Sequence, residues 1–334
     1  MTAPTSSAGV EARGLVKRFG AAVAVRGVSF TLPSRGIVGL LGPNGAGKTT
    51  TIRMIAGVHL PDEGELSVCG LDVRRSGARV RELVGYLPES APLHPELTVR
   101  EALAFRTGLA GLAPARARAA IDEAMQRTDV ARFSQRCCGA LSKGMQQRVG
   151  LAAAILSDPR VLILDEPSVG LDPEQVLAFR ELVRSLGAAR LVLFSSHLLS
   201  EVECLAGELL VIAHGRVAAH ESLEAFRGRA LASSASAQSF ARGGVVVETE
   251  AALPALGEVD TRFSARESEV LSDGWHRTTL RVQDGDHGAA REALARTLVA
   301  RGIVARTLRS EDGGLEGVFV ELVRAAAREG EVGR

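Results

Sequence analysis

The sequence predicts an α/β chain with a parallel sheet covered on both faces, followed by a small α+β domain of ferredoxin-like order. Three observations carry that expectation. Short apolar runs alternate with helical segments between residues 10 and 227. A glycine-rich loop at 42–49 joins one apolar run to a helix. After a Ser/Ala/Gly stretch at 228–244 the pattern becomes β-α-β-β-α-β-α.

The elements follow in order. Residues 1–9 are small and polar and read as a disordered tail. Residues 10–40 hold short β-type runs punctuated by Gly and Pro: Val23–Val25, Val28–Phe30 and Ile37–Leu41. A helical subdomain is expected over about 92–157. There Thr98 and Glu101 form a capping-box pair, and Ile121, Ala124, Met125 and Thr128 keep helical spacing as a core face. Strands return at Val161–Leu164, Leu191–Phe194 and Leu209–Ile212.

Residues 228–244 read as a linker. The accessory domain, 245–326, is expected to contain a strand at Val245–Val247, a helix near Ala251–Leu256 and a strand near Val259–Phe263. A turn at Ser272–Gly274 then precedes a strand at Thr278–Val282. A helix over Ala289–Ala300, a strand at Val304–Leu308, a helix from Leu315 to about Ala326 and a tail at 327–334 complete it.

Composition bounds the function. The 334 residues carry 40 Lys+Arg against 39 Asp+Glu, which argues against a general nucleic-acid or anionic-membrane binder. The four cysteines form no C-x-x-C pair, so a disulfide scaffold and a structural zinc site are not expected. No apolar run approaches the ~18 residues of a membrane span, and the opening lacks a signal-peptide layout. The chain reads as soluble and intracellular.

Three segments carry chemistry. In Gly42-Pro43-Asn44-Gly45-Ala46-Gly47-Lys48-Thr49, followed by Thr50, the context is strand, glycine loop, helix. Glycines let backbone N–H groups turn inward around phosphate oxygens, and the helix N-terminus adds partial positive charge. Lys48 suits the β- and γ-phosphates, and the Thr49 hydroxyl suits Mg²⁺. The second segment, Val161–Leu164 followed by Asp165-Glu166-Pro167, delivers two carboxylates to the end of a buried strand. Asp165 fits a Mg²⁺ partner; Glu166 fits the group that orients or deprotonates an attacking water. The third is Leu141-Ser142-Lys143-Gly144-Met145-Gln146-Gln147-Arg148, in which Ser142 is an N-cap candidate.

Together these segments resemble the ATP-binding subunit of an ABC transporter, over about residues 10–227. Walker A is Gly42–Thr49, the signature Leu141–Gln147, Walker B Val161–Glu166, the D-loop Ser168–Asp172, and the switch histidine His197. The resemblance implies a P-loop ABC-type ATPase cassette in which Phe19 stacks on adenine and His197 meets the γ-phosphate. It implies a homodimer with two ATP molecules at the interface, each between one P-loop and the partner's Ser142 and Gly144, with the D-loop ending at Asp172 beside them. It further implies separate transmembrane permease subunits, docked around Glu89 and residues 92–140, and a peripheral place on the cytoplasmic face of the inner membrane.

Two departures stand out. The family's Q-loop glutamine is Glu89 here, still placed to approach Mg²⁺ and water, but as an anion. The signature reads Leu-Ser-Lys-Gly-Met where Leu-Ser-Gly-Gly-Gln is commonest, so Lys143 adds charge near the partner's phosphates or points to solvent. Both variants resemble a branch with drug-efflux, sodium-efflux and gliding-motility ATPases, which often carries a C-terminal extension. The chief alternative is a soluble ABC-type ATPase acting on nucleic acid or ribosomes. A P-loop kinase or GTPase fits the signature and His197 poorly. A third alternative makes the C-terminal domain a regulatory dimerisation module.

Overall fold

The structure is a computed structural model that describes residues 8–235, 244–253, 263–271, 273–282, 287–311 and 315–331. The chain divides into two compact units, Met1–Leu223 with Ala325–Arg334, and Glu224–Arg324.

The first unit begins with two twelve-residue strands, β1 (Ala8–Phe19) and β2 (Ala22–Pro33), paired antiparallel around the turn Gly20-Ala21. Two expectations are corrected here. Ala8 and Gly9 belong to β1, not to a tail: the Gly9 carbonyl accepts from Cys69 N–H at 2.8 Å, and a Cβ at Gly9 would meet the Pro33 carbonyl at 2.3 Å. The short runs of 10–33 are parts of this long hairpin, whose irregular register hides the alternation.

After β3 (Gly36–Leu41) come α1 (Lys48–Ile55), β4 (Glu63–Val68), β5 (Leu71–Asp72), α2 (Gly77–Leu83) and β6 (Val84–Leu87). The helical stretch contains α3 (Val99–Leu109), α4 (Pro114–Arg127) and α5 (Lys143–Ile155). The Thr98–Glu101 capping box is present at the start of α3, and Ile121, Ala124, Met125 and Thr128 are buried. The unit continues through β7 (Val161–Asp165), α6 (Pro173–Gly187), β8 (Leu191–Ser196), α7 (Leu199–Leu205), β9 (Glu208–Ala213) and β10 (Arg216–Ser222).

These strands form two sheets. One is antiparallel, in the order β2-β1-β4-β5; the other runs β10-β9-β3-β8-β7-β6 and is parallel except for β10. The antiparallel sheet was not part of the sequence expectation. Its apolar residues, Val10, Leu15, Phe30 and Leu66, share one core with Ile52 and Met54 of α1 and with Ile163, Leu193 and Leu210 of the parallel sheet. Every residue of β7 and β8 is buried, and their first four residues, Val161–Leu164 and Leu191–Phe194, read as continuous apolar runs.

The helix α8 (Leu223–Ala235) overturns part of the expected linker: residues up to Ala235 are helical, because Leu, Arg and repeated Ala favour a helix despite the low-complexity look. The remainder of the linker, 236–243, lies outside the described residues, and Gly244 opens β11 (Gly244–Thr249). β12 (Phe263–Val270), β13 (His276–Val282), α9 (His287–Ala300), β14 (Ala305–Glu311) and α10 (Leu315–Glu331) follow. The sheet of the second unit, in the order β12-β13-β11-β14 with all pairs antiparallel, has the ferredoxin-like arrangement. Its core joins Val245, Val247, Phe263 and Leu280 to Ala290, Leu294 and Leu298 of α9.

Other boundaries shift. Ala251–Leu253 are not helical, and residues 254–262 lie outside the described residues. The last helix runs on to Glu331, since Ala325–Ala327, Arg328 and Glu329 are good helix formers.

Candidate active site

The parallel sheet explains why distant motifs meet. In its register Leu41 pairs with Ser196, Asp165 with Ser195, and Leu87 with Leu164. The loops after β3, β6, β7 and β8 therefore leave from one edge, the carboxyl ends of the strands, where open α/β sheets bind ligands.

At that edge lies a cleft of about 570 Å³ lined by Ala24, Pro43–Thr50, Glu89, Glu166, Val169 and His197. Pro43, Asn44, Gly45, Ala46, Gly47, Lys48, Thr49 and Thr50 thus line one wall as the sequence predicts. Gly42 contributes from behind: its carbonyl accepts from Lys48 Nζ at 2.7 Å, and the Pro43 carbonyl does so at 3.3 Å. The loop demands glycine at two places in particular. A Cβ at Gly42 would lie 2.1 Å from the Ile212 carbonyl; at Gly47 (φ 104°) it would lie 2.7 Å from that of Ala24. Helix α1 opens at Gly47 with no side chain capping it and no acidic residue in its first turn, so its N–H groups and dipole face the cleft.

Lys48 is 6% exposed and stands 3.6 Å from Glu166 Oε1. Glu166 Oε2 is 2.9 Å from His197 Nδ1. Thr49 Oγ1 donates to Asp165 Oδ1 at 3.4 Å. Burial pushes the Asp165 carboxyl above its ordinary value, the Ser195 hydrogen bond opposes this, and the charge of Glu166 adds to it. Glu166 itself sits at φ 47°, left-handed and uncommon for a residue with a side chain.

Glu89 lines the cleft at its exposed rim, and its main-chain carbonyl accepts from Gln147 Nε2 of α5 at 2.7 Å. Ser142 caps α5, its Oγ accepting from Met145 N–H. Gly144 is buried, and a Cβ there would strike the Gln175 side chain at 2.0 Å. Asp172 caps α6 by accepting from Gln175 N–H at 2.9 Å. Ser142, Gly144 and Asp172 therefore gather around the start of α6, apart from the residues lining the cleft. Phe19 also lies outside that lining: it is 48% exposed at the end of β1 and meets His59 edge-on. Lys143 is exposed, and its ammonium end lies over Gly170 of its own D-loop segment.

Four contributors escaped sequence reading: Ala24 and Val169 in the lining, Gln147 behind Glu89, and Ser195 behind Asp165. Ser195 had a signal, a hydroxyl directly after the apolar run Leu191–Phe194. Ala24 had none.

A parallel α/β sheet, a P-loop with its lysine buried at the mouth of a helix, and two carboxylates across from it define a nucleotide-binding ATPase. The ABC transporter family profile matches residues 25–169, and an AAA domain profile matches 136–203. The Nod factor export ATP-binding protein I of Burkholderia lata is 39% identical over 208 residues, 62% of this chain and 68% of that protein. Its namesake from Rhizobium sp. is 35% identical over 218 residues, 65% of this chain and 72% of that protein. Among solved structures, an ATP-binding subunit of an ABC transporter matches with TM-score 0.60 and 31% identity, covering 66% of this chain and 92% of that one. A dimeric ATP-binding cassette in a post-hydrolysis state, with ADP and Pi, shares the fold at TM-score 0.59 and 22% identity, covering 64% and 98%.

The chain belongs to the ATP-binding subunits of the ABC transporter family. It is an ATP-binding ATPase subunit. Among the described residues no helix is long and apolar enough to cross a membrane.

Proposed function

We propose that this chain hydrolyses ATP to power export through separate membrane-spanning subunits, as a homodimer closed by two ATP molecules on the cytoplasmic face of the inner membrane. The observation that carries the catalytic half is the line Lys48–Glu166–His197, with contacts of 3.6 and 2.9 Å across one cleft. Export is supported by the relatives, which are named as export ATP-binding proteins.

In this reading the N–H groups of Gly45–Thr49 and the Lys48 ammonium hold the β- and γ-phosphates. Glu166 orients a water and takes its proton as the water oxygen bonds to the γ-phosphorus. The bond from phosphorus to the bridging oxygen breaks, and ADP leaves with that electron pair. His197 steadies Glu166 and faces the γ-phosphate. Phe19 stacks on adenine, and each ATP is completed by the partner's Ser142 and Gly144, with Asp172 beside them.

Mg²⁺ fits the residues present. Thr49 and Asp165 bring hard oxygens together at the phosphate end of the loop, with Glu89 across the cleft. No cluster of three or more His, Cys, Asp or Glu able to hold a metal occurs among the described residues. When bound, Mg²⁺ would neutralise phosphate charge during transfer. The ATPase cassette then spans roughly the first 227 residues, and the ferredoxin-like unit is an accessory domain.

The test is recovery of the subunit from mildly solubilised native membranes. A stoichiometric partner with several ~20-residue spans is expected. Recovery only with ribosomes or nucleic acid, and no membrane partner, would overturn the transport reading in favour of a non-transport ATPase.

A further inference from the structure

Ser195 is wholly buried near the end of β8, yet its hydroxyl serves two groups, one on the last residue of the neighbouring strand β7 and one just past it. Its Oγ accepts the main-chain N–H of Glu166 at 2.9 Å. The same hydroxyl donates to Asp165 Oδ1 at 2.7 Å. The direction is fixed by chemistry: the amide can only donate, so the single hydroxyl proton goes to the carboxylate.

The β7–β8 ladder ends at the pair Asp165–Ser195, so Glu166 lies past the regular strand. Its left-handed backbone needs an external hold, and the Ser195 oxygen supplies one. Two residues further on, His197 grips the carboxylate of the same Glu166. The end of β8 and the loop residue that follows it thus hold both ends of Glu166. Ser196 shows that this is a matter of strand face: it is equally buried, but its hydroxyl turns away to Glu201 Oε2 at 2.6 Å.

We propose that Ser195 is a positioning residue for hydrolysis, fixing the backbone turn that aims Glu166 into the cleft and the orientation in which Asp165 faces Thr49. This rests on the reading of Glu166 as the water-orienting base. A hydroxyl that merely filled the core would affect folding alone. A hydroxyl that sets Glu166 affects turnover with nucleotide still bound.

The experiment uses the full-length chain with Ser195→Ala, the near-isosteric Ser195→Cys, Ser195→Thr and Glu166→Gln. Steady-state hydrolysis gives kcat and KM, a fluorescent ATP analogue gives affinity, and Mn²⁺ with that analogue gives an EPR spectrum of the divalent site. For Ser195→Ala and Ser195→Cys, kcat is expected to fall roughly 10–100-fold, with KM and analogue affinity within about threefold. The Mn²⁺ spectrum changes in both, and Ser195→Thr, which keeps the hydroxyl, restores most of kcat. Should Ser195→Ala fail to fold, Ser195→Cys carries the test.

Turnover within twofold of wild type in a folded Ala or Cys variant, beside an inactive Glu166→Gln, would overturn the role of Ser195 and leave that of Glu166 standing. Loss of analogue binding in proportion to turnover would also overturn it, making Ser195 structural. Near-normal hydrolysis in Glu166→Gln would instead sink the reading on which the proposal rests.

Discussion

Asp165 in the first unit and Glu248 in the second are both buried carboxylates, 2% and 7% exposed, but their surroundings are opposite. Glu248 accepts from Arg306 Nε at 2.8 Å, Arg277 Nε at 2.9 Å and Thr307 Oγ1 at 3.1 Å. The arginines are tied in turn to Asp273 and Glu269, and Arg306 stacks 4.6 Å over Trp275. The hydrogen bonds from Arg306 and then Arg277 pull the Glu248 carboxyl below its ordinary value. Among the described residues Asp165 accepts from two hydroxyls, of Ser195 and Thr49; burial pushes it up, against the weaker pull of the Arg53 charge. A carboxylate saturated by arginine is structural. One buried without a cation at hydrogen-bond distance, at the edge of a cleft, is a place where a cation would be stabilised.

The largest effect that would sharpen this contrast is on turnover. Glu166→Gln keeps the shape of the side chain but removes the carboxylate proposed as the proton acceptor. Hydrolysis is expected to drop at least 10²-fold with ATP affinity retained and the ATP-bound dimer longer lived. Glu248→Gln, by contrast, is expected to leave kcat within about twofold. A phosphate-release assay on both variants, with gel filtration in ATP, checks the pair. Comparable turnover losses would erase the distinction between the two carboxylates.

How much of this was legible in the sequence differs between the two units for a physical reason. The P-loop, Asp165, Glu166 and His197 are contiguous with strands whose apolar runs are unmistakable, so motif and element confirm each other. The second unit's strand order was readable from its β-α-β-β-α-β pattern, but the charges on its sheet face were not. Glu248, Arg277 and Arg306 lie on three different strands, 29 and 58 residues from the glutamate, and only the register brings them together. Ser195 escaped similarly: its partners lie 29 and 30 residues earlier in sequence. The Ala/Ser composition of 228–235 misled in the other direction, because a linker and a helix share those residues.

Next in size is Ser142→Arg. Ser142 lies away from the cleft of its own chain, so a bulky cation there is expected to spare nucleotide affinity of the monomer while cutting hydrolysis about 10–100-fold by blocking the partner's site. Affinity of a dilute monomer for a fluorescent ATP analogue, set beside turnover at high protein concentration, separates the two. Equal loss of both would mean that the signature acts within one chain and would break the sandwich reading.

The two carboxylates should also titrate in opposite senses. The folded chain holds the Asp165 proton more tightly than the unfolded chain. The stabilisation from this group is therefore present below the unfolded carboxyl value and lost as pH rises through the folded one. Asp165→Asn is accordingly expected to raise the nucleotide-free melting temperature near neutral pH by roughly 2–4 °C while impairing hydrolysis. Glu248 behaves the other way: its contribution is present above the unfolded value and lost as pH falls through the lowered one. Glu248→Gln should lower the melting temperature at neutral pH and flatten the acid limb. Calorimetry across that range checks both signs, and a shared sign would refute the contrast.

The smallest expected effect is at the rim. Glu89 is exposed in the cleft, and its main chain is anchored by Gln147 from α5, so Glu89→Gln changes charge with the backbone held in place. An exposed carboxylate is well screened, and its influence on phosphates and water across the cleft is worth a few-fold in rate at low salt. Turnover of Glu89→Gln is therefore expected within about fivefold of wild type, with the difference shrinking as ionic strength rises. A salt-independent loss of a hundredfold would show that the Glu89 carboxylate works in contact with the reacting atoms. The negative charge at this position would then belong with Asp165 and Glu166, and not at the rim.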